Sequence, residues 1–368
     1  MKIGINALAI SEGMTGIGNY TKDLVNALAE YGEQHSYCIL SKKKIKKEKK
    51  ENWEELLIER IDRLWEELHI PYELSARGVD IYHTPLFACP IVDEIPCVIT
   101  IHDVIPEKKP GLCGKAFLDF YHARIKASLR ASVKIITASE FSKKEIIETL
   151  GVASEKIEVI YQGIGEEFRT VRNDDDEGIK TRLKLPDKYI LYVGMLEEKK
   201  NIKRLIEAFG KIEKGLFGIS LVIAGRKDNP LYSLKEEIEK RNLKERVVET
   251  GYIKQEDLPG LYRGAELFAF PSLYEGFGRP ILEAMASGIP VVTSNTTALA
   301  EIAEDAAILV NPMEAESIAA GLSLAYKDKE KRKNLRERGI KRAKDFTNRK
   351  FGERLMKFYG KMEESISR

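Results

Sequence analysis

Cysteine and histidine are both scarce in this chain of 368 residues, which contains four cysteines and five histidines. The cysteines all lie in the first third of the chain, and no two of them form a Cys-x-x-Cys pair. This scarcity argues against a structural zinc site and a disulfide framework, because both need several closely spaced cysteines or histidines. We therefore predict no metal site and a reducing compartment.

Long apolar runs are missing as well. No stretch approaches the roughly 18 consecutive apolar residues of a membrane-spanning helix. The apolar run at the N-terminus, Lys2 to Asn6, is too short for the hydrophobic part of a signal peptide. These two absences predict a cytoplasmic protein.

An excess of charge of one sign is also absent, since 60 lysines and arginines face 58 acidic residues and leave a net charge of +2. This balance gives no general attraction to nucleic acid, and we predict no nucleic-acid partner. The local exception is residues 42–50, a lysine-rich segment that precedes a helix predicted over residues 53–68 with an apolar stripe. Peripheral contact with the inner membrane surface stays open there, beside the simpler interpretation of a solvated loop.

Short apolar strands alternate with helices over both halves of the chain. This alternation predicts an α/β fold with two doubly wound, parallel-sheet (Rossmann-like) domains that face a cleft. The polar stretch 166–186 separates the halves, and its Asp174 and Asp176 are interpreted as solvated linker acids rather than metal ligands. The predicted parts are residues 1–168, residues 169–345 and a last helix in residues 346–368.

The most informative stretch runs from Leu267 to Pro312. An apolar strand leads into a glycine-flanked turn, and Pro280 stands where its fixed φ suits the start of a helix. Backbone N–H groups at such a helix start bind phosphates. Glu275 in the turn and Glu283 in the first helical turn could accept hydrogen bonds from hydroxyls, although either alone is also typical of a solvated helix start. Phosphates and hydroxyls together predict a nucleotide-sugar ligand.

This stretch resembles the signature of the retaining GT-B glycosyltransferases of family four, which include sucrose and polysaccharide mannosyltransferases. The resemblance implies an N-terminal acceptor domain, a C-terminal nucleotide-sugar domain and a last helix that crosses back to the N-terminal domain. It also implies that Glu275 binds hydroxyls of the transferred sugar and that Glu283 binds the ribose. The other substrate contacts that it implies are Gly276, Phe277, Gly278, Ile281 and Leu282.

A second glycine-rich loop, Gly13 to Gly18, precedes the first predicted helix. Gly16 and Gly18 stand at the N-terminus of that helix, a position that suits a phosphate group, although a tight turn is the alternative. Thr21 replaces the third glycine of a dinucleotide fingerprint, which argues against a hydride-transfer enzyme. Members of family four open with a similar Thr-Gly-Ile-Gly segment, so we predict that Gly16 contacts the substrate.

His102 and Asp103 lie at the end of another apolar strand, Cys97 to His102. A side chain at the carboxyl end of a parallel strand points into the crevice, although a buried core histidine is the common alternative. The pair is similar to the His-Asp of polysaccharide mannosyltransferases of family four, in which the histidine lies beside the transferred sugar. The resemblance thus implies a catalytic role for His102 and a substrate contact for Asp103, and it favours GDP-mannose as the donor.

Lys199 and Lys200 lie in a predicted strand-to-helix loop, where a compact cation can neutralise a diphosphate. Family four usually has Arg-Lys-Asn here and often an arginine directly after the glycine of the strand. This chain has Lys199 and Met195 in those places, whereas Lys200 keeps the family's residue. We predict that Lys200 is catalytic, together with Glu275 and His102, and that Lys199 is a substrate contact without the bidentate geometry of arginine.

The residues and the resemblance together predict a retaining, metal-independent hexosyltransferase that needs no cofactor. It would move mannose from GDP-mannose to a glycan or lipid-linked acceptor in polysaccharide or glycoconjugate synthesis. The alternatives are a UDP-sugar donor carrying glucose or N-acetylglucosamine, an epimerase or phosphorylase of the same fold, and a two-lobed sugar-binding protein. The acceptor and the oligomeric state have no signal in the sequence.

Overall fold

The structure is a computed structural model, which describes residues 1–11, 16–45, 51–58, 69–90, 95–169, 175–216, 218–227 and 232–366. The chain divides into two compact units. Unit 1 consists of Met1–Gly163 and Asn348–Arg368, and unit 2 consists of Ile164–Thr347. The first boundary falls five residues before the predicted one at 168/169, and the second falls two residues after the predicted one at 345/346.

Unit 1 is built on a parallel sheet, with seven strands among the described residues. The strands are β1 Lys2–Asn6, β2 Ser36–Ser41, β3 Trp53–Leu57, β4 Ile81–Thr84, β5 Cys97–Thr100, β6 Ser132–Thr137 and β7 Ile157–Val159. They lie in the order β3-β2-β1-β4-β5-β6-β7, so the chain builds one edge outward from β1 and then the other. The direction reverses between β1 and β4, and doubly wound sheets bind ligands at the carboxyl ends of strands at such a point.

Helices of unit 1 connect these strands. They are α1 Gly16–Tyr31, α2 Ile70–Ala76, α3 Ile105–Lys108, α4 Lys115–Ala131 and α5 Glu140–Leu150. Helix α1 forms because apolar residues recur on one face, and Tyr20, Leu24 and Leu28 of that face are buried in the same core as Ile3 and Ile5 of β1. This packing fixes the N-terminus of α1 beside the sheet.

The prediction of a helix over residues 53–68 is wrong for its first five residues, because Trp53–Leu57 forms strand β3. This strand pairs in parallel with β2, so that Trp53 lies opposite Tyr37. Backbone hydrogen bonds to an open sheet edge outweigh the helical spacing of the apolar residues. Residues 59–68 and the lysines from position 46 onward lie outside the described residues, and the apolar helix face that favoured membrane contact is not formed by Trp53–Leu57.

Unit 2 contains a second parallel sheet, with six strands in the described part of the chain. The strands are β8 Lys188–Val193, β9 Ile219–Ala224, β10 Val247–Gly251, β11 Leu267–Phe270, β12 Val291–Ser294 and β13 Ile308–Val310. Their order is β10-β9-β8-β11-β12-β13, with the reversal between β8 and β11. Both sheets are therefore parallel and doubly wound, which confirms the predicted fold class of two Rossmann-like domains.

The helices of unit 2 alternate with its strands. They are α6 Asp175–Arg182, α7 Ile202–Ile212, α8 Lys235–Lys240, α9 Leu258–Arg263, α10 Arg279–Ala286, α11 Thr297–Ala303, α12 Ala315–Lys327 and α13 Lys329–Ala343. The interpretation of Asp176 as a solvated linker acid is wrong. Asp176 lies on α6 and accepts hydrogen bonds of 2.7 and 2.6 Å from the buried guanidinium of Arg263, so it is a structural ion pair. Asp174 lies outside the described residues.

The last helix, α14 Asn348–Ile366, belongs to unit 1. Its Phe351, Leu355 and Tyr359 are fully buried in the core that α1 and β1 also form. The chain thus ends in the unit in which it begins, as the family resemblance implies. Within the described residues, no helix is both long enough and apolar enough to cross a membrane.

Candidate active-site residues

In unit 2 the turn between β11 and α10 creates a helix N-terminus at the carboxyl end of a strand. Gly278 precedes the helix with a left-handed φ of 101°, and a Cβ there would lie 2.5 Å from Cδ2 of Leu299. Only glycine fits this position. Pro280 follows in the first turn of α10, and the helix ends before Gly288, whose φ of 70° is also left-handed. The predicted strand, turn and helix are therefore present.

Lys200 and Glu275 lie next to each other in unit 2. The Lys200 ammonium is 2.6 Å from Oε1 of Glu275, and each side chain is 14% exposed. Lys200 Nζ also lies 5.3 Å from the centre of the Phe270 ring at the end of β11. A cation suited to phosphate and a carboxylate suited to sugar hydroxyls thus share one place beside the start of α10.

Asn201 ties together the loops that carry these two residues. It adopts a left-handed conformation with a φ of 61°, and its side-chain amide donates to the carbonyls of Pro271 and Pro312 over 2.9 and 2.7 Å. The backbone N–H of Leu273 also donates to the carbonyl of Lys199 over 2.8 Å. This function of Asn201 is not predicted from the sequence, where the signal is an asparagine, which tolerates the left-handed region, directly before a helix.

Glu197 is a second functional candidate that was not predicted from the sequence. Lys199 Nζ lies 3.4 Å from its Oε1, and the two side chains are 24% and 17% exposed. Burial raises the pKa of the Glu197 carboxyl, and Glu275 adds to this rise, whereas Lys199 and Lys200 oppose it. The loop after β8 therefore combines two lysines with a glutamate whose ionised form is disfavoured by burial.

Glu283 is buried, with 5% of its surface exposed. Its Oε2 accepts a hydrogen bond of 2.9 Å from the Tyr262 hydroxyl, and its Oε1 accepts one of 2.8 Å from Nε of Arg279. The carboxyl contributes to a large rise in the pKa of Tyr262, behind burial itself. Glu283 lies in the second turn of α10, and not in the first as predicted. Its contact with ribose stays a prediction.

The structure restricts three other predicted donor contacts. The side chains of Ile281 and Leu282 are fully buried in unit 2, so they offer no side-chain contact to a substrate. The backbone N–H of Ile281 donates to the carbonyl of Gly278 over 3.1 Å. Phe277 is 6% exposed and packs against Phe346, with ring centres 6.0 Å apart. Of the predicted substrate contacts in this turn, those through backbone groups of Gly276 and its neighbours therefore stay predictions.

In unit 1, His102 lies just beyond the end of β5. Its Nε2 lies 3.2 Å from the carbonyl of Pro85, which assigns the ring proton to Nε2 and the lone pair to Nδ1. Burial lowers the pKa of His102, and the Pro85 carbonyl and Asp103 oppose this only in part. The ring of Tyr20 stands edge-on to the imidazole, with centres 4.8 Å apart. His102 is therefore a neutral imidazole with a fixed orientation.

Asp103 and Gly16 are the remaining predicted residues of unit 1. Oδ1 of Asp103 accepts a hydrogen bond of 3.1 Å from the N–H of Ile105, the first residue of α3. Gly16 is exposed, its φ lies outside the left-handed region, and a Cβ there would meet no described atom within 4 Å. Substrate contact by Gly16 stays a prediction.

The predicted residues are thus divided between the units: Lys200, Glu275 and the glycine turn lie in unit 2, and His102, Asp103 and Gly16 lie in unit 1. That the two groups face one cleft stays a prediction. No cluster of three or more His, Cys, Asp or Glu side chains that could hold a metal ion is found among the described residues. Two doubly wound sheets, together with a helix N-terminus after the turn that carries Glu275, are the features that the resemblance to GT-B glycosyltransferases implies.

Comparison with known proteins identifies the family. The sequence profile described as Glycosyltransferase Family 4 matches residues 14–168, and the profile described as Glycosyl transferases group 1 matches residues 174–342. The chain is 32% identical to O-antigen chain mannosyltransferase B of Escherichia coli, over 73% of this chain and 70% of that protein. The chain belongs to glycosyltransferase family four and is a hexosyltransferase of that type.

Two further comparisons extend this result. The chain is 31% identical to the serotype-specific mannosyltransferase WbdA of Escherichia coli over 69% of its own length, and it spans about a third, 32%, of that longer protein. The crystal structure of Anabaena HepE in complex with UDP and glucose is similar over 98% of this chain and all of that one, with a TM-score of 0.76 and 18% identity. At this identity the second likeness concerns the fold alone.

Proposed function

We propose that this protein transfers mannose from GDP-mannose to a hydroxyl of a glycan or lipid-linked acceptor, with retention of configuration and without a metal ion. The observation that carries the proposal is the 2.6 Å contact between Lys200 and Glu275 beside the N-terminus of α10. It brings ligands for phosphate and for sugar hydroxyls to one place. Support for mannose comes from the O-antigen mannosyltransferase with which the chain shares 32% identity.

Departure of the nucleoside diphosphate is the difficult step of such a reaction. Lys200 and the backbone N–H groups of the glycine turn would stabilise the negative charge that develops on the leaving phosphate. Glu275 would exchange part of its contact with Lys200 for hydroxyls of the sugar, which its partial exposure permits. The diphosphate would then take the place of the carboxylate as the counter-charge of Lys200.

His102 would bind the transferred sugar near its reacting carbon. Because the Nε2 proton is directed at the carbonyl of Pro85, Nδ1 is the nitrogen that would accept a hydrogen bond from a sugar hydroxyl. A neutral imidazole suits this contact, since it adds no positive charge beside the developing oxocarbenium ion.

The acceptor would attack from the face that the diphosphate leaves. Glu275 would be bonded to hydroxyls of the sugar, and Glu283 is buried and bonded to two partners, so neither is assigned as a nucleophile. The leaving phosphate would then take the proton of the acceptor hydroxyl. This route retains the configuration at the sugar carbon without a covalent intermediate.

A panel of GDP-, UDP- and ADP-sugars in a thermal-shift assay, followed by mass spectrometry of the products with glycan acceptors, tests the proposal. A donor at 100 times its Kd should stabilise the fold by about 2.7 kcal/mol. We expect GDP-mannose to give the largest shift and a product one hexose longer than the acceptor. Stabilisation by UDP-glucose or UDP-N-acetylglucosamine instead would assign a UDP-sugar donor. Epimerised donor would indicate an epimerase, and tight binding of free sugar without turnover would indicate a sugar-binding protein.

A further inference from the structure

Unit 1 contains a chain of buried polar side chains that links its last helix to the strand before His102. His83 of β4 is fully buried. Its Nδ1 lies 2.6 Å from the hydroxyl of Tyr359 on α14, and its Nε2 lies 3.0 Å from the hydroxyl of Thr100, the last residue of β5. Tyr359 and Thr100 are 0% and 1% exposed. Both ring nitrogens of His83 are therefore occupied by partners from other elements.

The protonation state of His83 determines how this chain can be hydrogen-bonded. Burial lowers the pKa of His83 to about 3, so the ring is neutral and carries one proton. Either Tyr359 donates to Nδ1 while Nε2–H donates to Thr100, or the whole sequence of donors runs in the opposite direction. In both arrangements the three side chains must orient together, because reversing one bond leaves a buried polar atom without a partner.

Two links connect these three side chains to His102, one along the backbone and one through packed rings. Along the backbone, Thr100 ends β5 and is followed by Ile101 and His102. Through space, the ring of Tyr20 stands edge-on to His102 at 4.8 Å and also packs on Phe351 of α14 at 5.9 Å. The Tyr20 hydroxyl is buried and has no hydrogen-bond partner among the described residues. Burial raises the pKa of Tyr20 to about 12, and the Thr100 hydroxyl opposes this rise in part.

We propose that Tyr359 and His83 are positioning residues that orient His102 through Thr100 and Tyr20. Apolar residues would fill the same interior without the penalty of burying polar groups, whereas the hydrogen-bonded set of Tyr359, His83 and Thr100 selects one arrangement of the side chains around it. Helix α14 thereby becomes part of the machinery that holds the sugar-binding imidazole. The proposal rests on the proposed contact of His102 with the transferred sugar.

Tyr359→Phe tests the proposal, because it removes the hydroxyl and keeps the ring. The matched control is Tyr37→Phe, since Tyr37 is also fully buried and its hydroxyl also faces α14, at 3.9 Å from Sδ of Met356. The chain has five histidines, so ¹⁵N-histidine spectra of the full chain resolve each ring. Loss of a single signal in His83→Gln and in His102→Gln assigns the two resonances.

We expect Tyr359→Phe to move the signals of both His83 and His102 and to lower kcat about tenfold at an unchanged donor KM, because small misplacement of a positioned group slows chemistry more than binding. Tyr37→Phe should leave both signals and kcat unchanged. A His102 signal that stays in place in folded Tyr359→Phe would overturn the proposal, and so would an equal change in both variants.

If Tyr359→Phe does not fold, two substitutions at Thr100 test whether the polar chain orients His102. Thr100→Val removes the hydroxyl at nearly constant shape and should move the His102 signal. Thr100→Ser keeps the hydroxyl and should leave the His102 signal at its wild-type position. Equal spectra of these two variants would overturn the proposal. The spectra need no substrate, so a protein that transfers no sugar from any nucleotide sugar would refute the proposed function while the His102 signal still decides the positioning.

Discussion

The two groups of candidate residues are held in place by different physical means. In unit 2, Lys200 and Glu275 are opposite charges at partial exposure, on loops that Asn201 ties together. In unit 1, His102 is a neutral ring whose surroundings lead to the buried His83 and Tyr359. A partly exposed ion pair can open to admit a ligand at low cost, whereas a buried polar network cannot rearrange one member at a time. We infer that unit 2 supplies charge and unit 1 supplies position.

The largest effect should follow loss of the Lys200 charge. Lys200→Ala should lower kcat about 10²- to 10³-fold, which corresponds to roughly 3 to 4 kcal/mol, because it removes a group that stabilises the leaving diphosphate. Glu275→Ala should also lower kcat, by a smaller factor. Initial rates with GDP-mannose and a glycan acceptor measure both effects. Thermal unfolding should be nearly unchanged, since the pair is partly exposed.

Lys203→Ala is the matched control for this experiment. Lys203 forms an ion pair of 2.7 Å with Glu198 only a few residues away, but both side chains are at least 41% exposed. We expect its transfer rate to equal that of the wild type. Wild-type rates in both Lys200→Ala and Glu275→Ala would show that this ion pair of unit 2 does not take part in transfer, and would refute the proposed donor site.

Loss of the carboxylate charge should change stability by different amounts at Glu283 and at Glu275. Glu283→Gln should lower the free energy of unfolding of unit 2 by about 2 kcal/mol, because hydrogen bonds of a buried carboxylate with Arg279 and Tyr262 are weakened. Glu275→Gln should change it by less than about 0.5 kcal/mol. Hydrogen exchange followed by mass spectrometry on peptides of α9 and α10 measures the difference. Unchanged stability with a higher donor KM in Glu283→Gln would assign Glu283 to ligand binding alone.

Acid should destabilise unit 1 through His83. Its pKa is about 3 in the folded chain against an ordinary value of 6.5, so below pH 6.5 the unfolded state binds a proton that the folded state excludes. Stability from this residue is therefore full above pH 6.5 and is lost as the pH falls from there toward 3, at about 1.4 kcal/mol per pH unit.

Tryptophan fluorescence during urea unfolding measures this loss, since both tryptophans of the chain, Trp53 and Trp65, belong to the segment Met1–Gly163. His83→Gln removes the titrating group and should flatten the dependence on pH between 6.5 and 5. An equally steep dependence in the variant would show that other groups cause the acid sensitivity. The buried neutral His83 would then not be the feature that distinguishes unit 1 from unit 2 in its response to pH.

Buried parallel strands were easy to predict because both of their faces are covered. Ile219–Ala224 is buried at every position and is predominantly apolar in sequence. Strand β3 was not predictable in the same way, since Trp53–Leu57 is an edge strand with two glutamates and its apolar residues fit helical spacing. Its structure depends on pairing with β2, which is a tertiary contact.

Candidate residues were predictable where they belong to a local motif, as for Glu275 in its glycine turn and Lys200 before its helix. Those that act through distant contacts were not. His83 and Tyr359 are 276 positions apart, and each alone is typical of an ordinary core residue. Asn201 and Glu197 lie within a motif, but their importance depends on Pro312 and Lys199. Sequence patterns thus identify ligands better than they identify the residues that hold them.

The smallest effect, from Glu197→Gln, would sharpen the electrostatic account of unit 2. The pKa of Glu197 is raised by burial above its ordinary value of 4.5, so above that raised pKa the folded chain carries a charge that destabilises it. The penalty is relieved as the pH falls through the raised pKa. Glu197→Gln should therefore raise the free energy of unfolding at pH 7, and the gain should vanish toward pH 4.5.

The same substitution should strengthen donor binding. Without the Glu197 carboxylate, the loop carries one negative charge fewer beside Lys199 and Lys200, so the loop should attract the negatively charged diphosphate more strongly. We expect a donor KM a few-fold lower, with kcat unchanged, in initial-rate measurements at low salt. Glu198→Gln is the control, because Glu198 is 59% exposed and pairs with Lys203. A lower donor KM in that control as well would mean that general positive charge, and not the local pairing of Lys199 with Glu197, limits donor binding in unit 2.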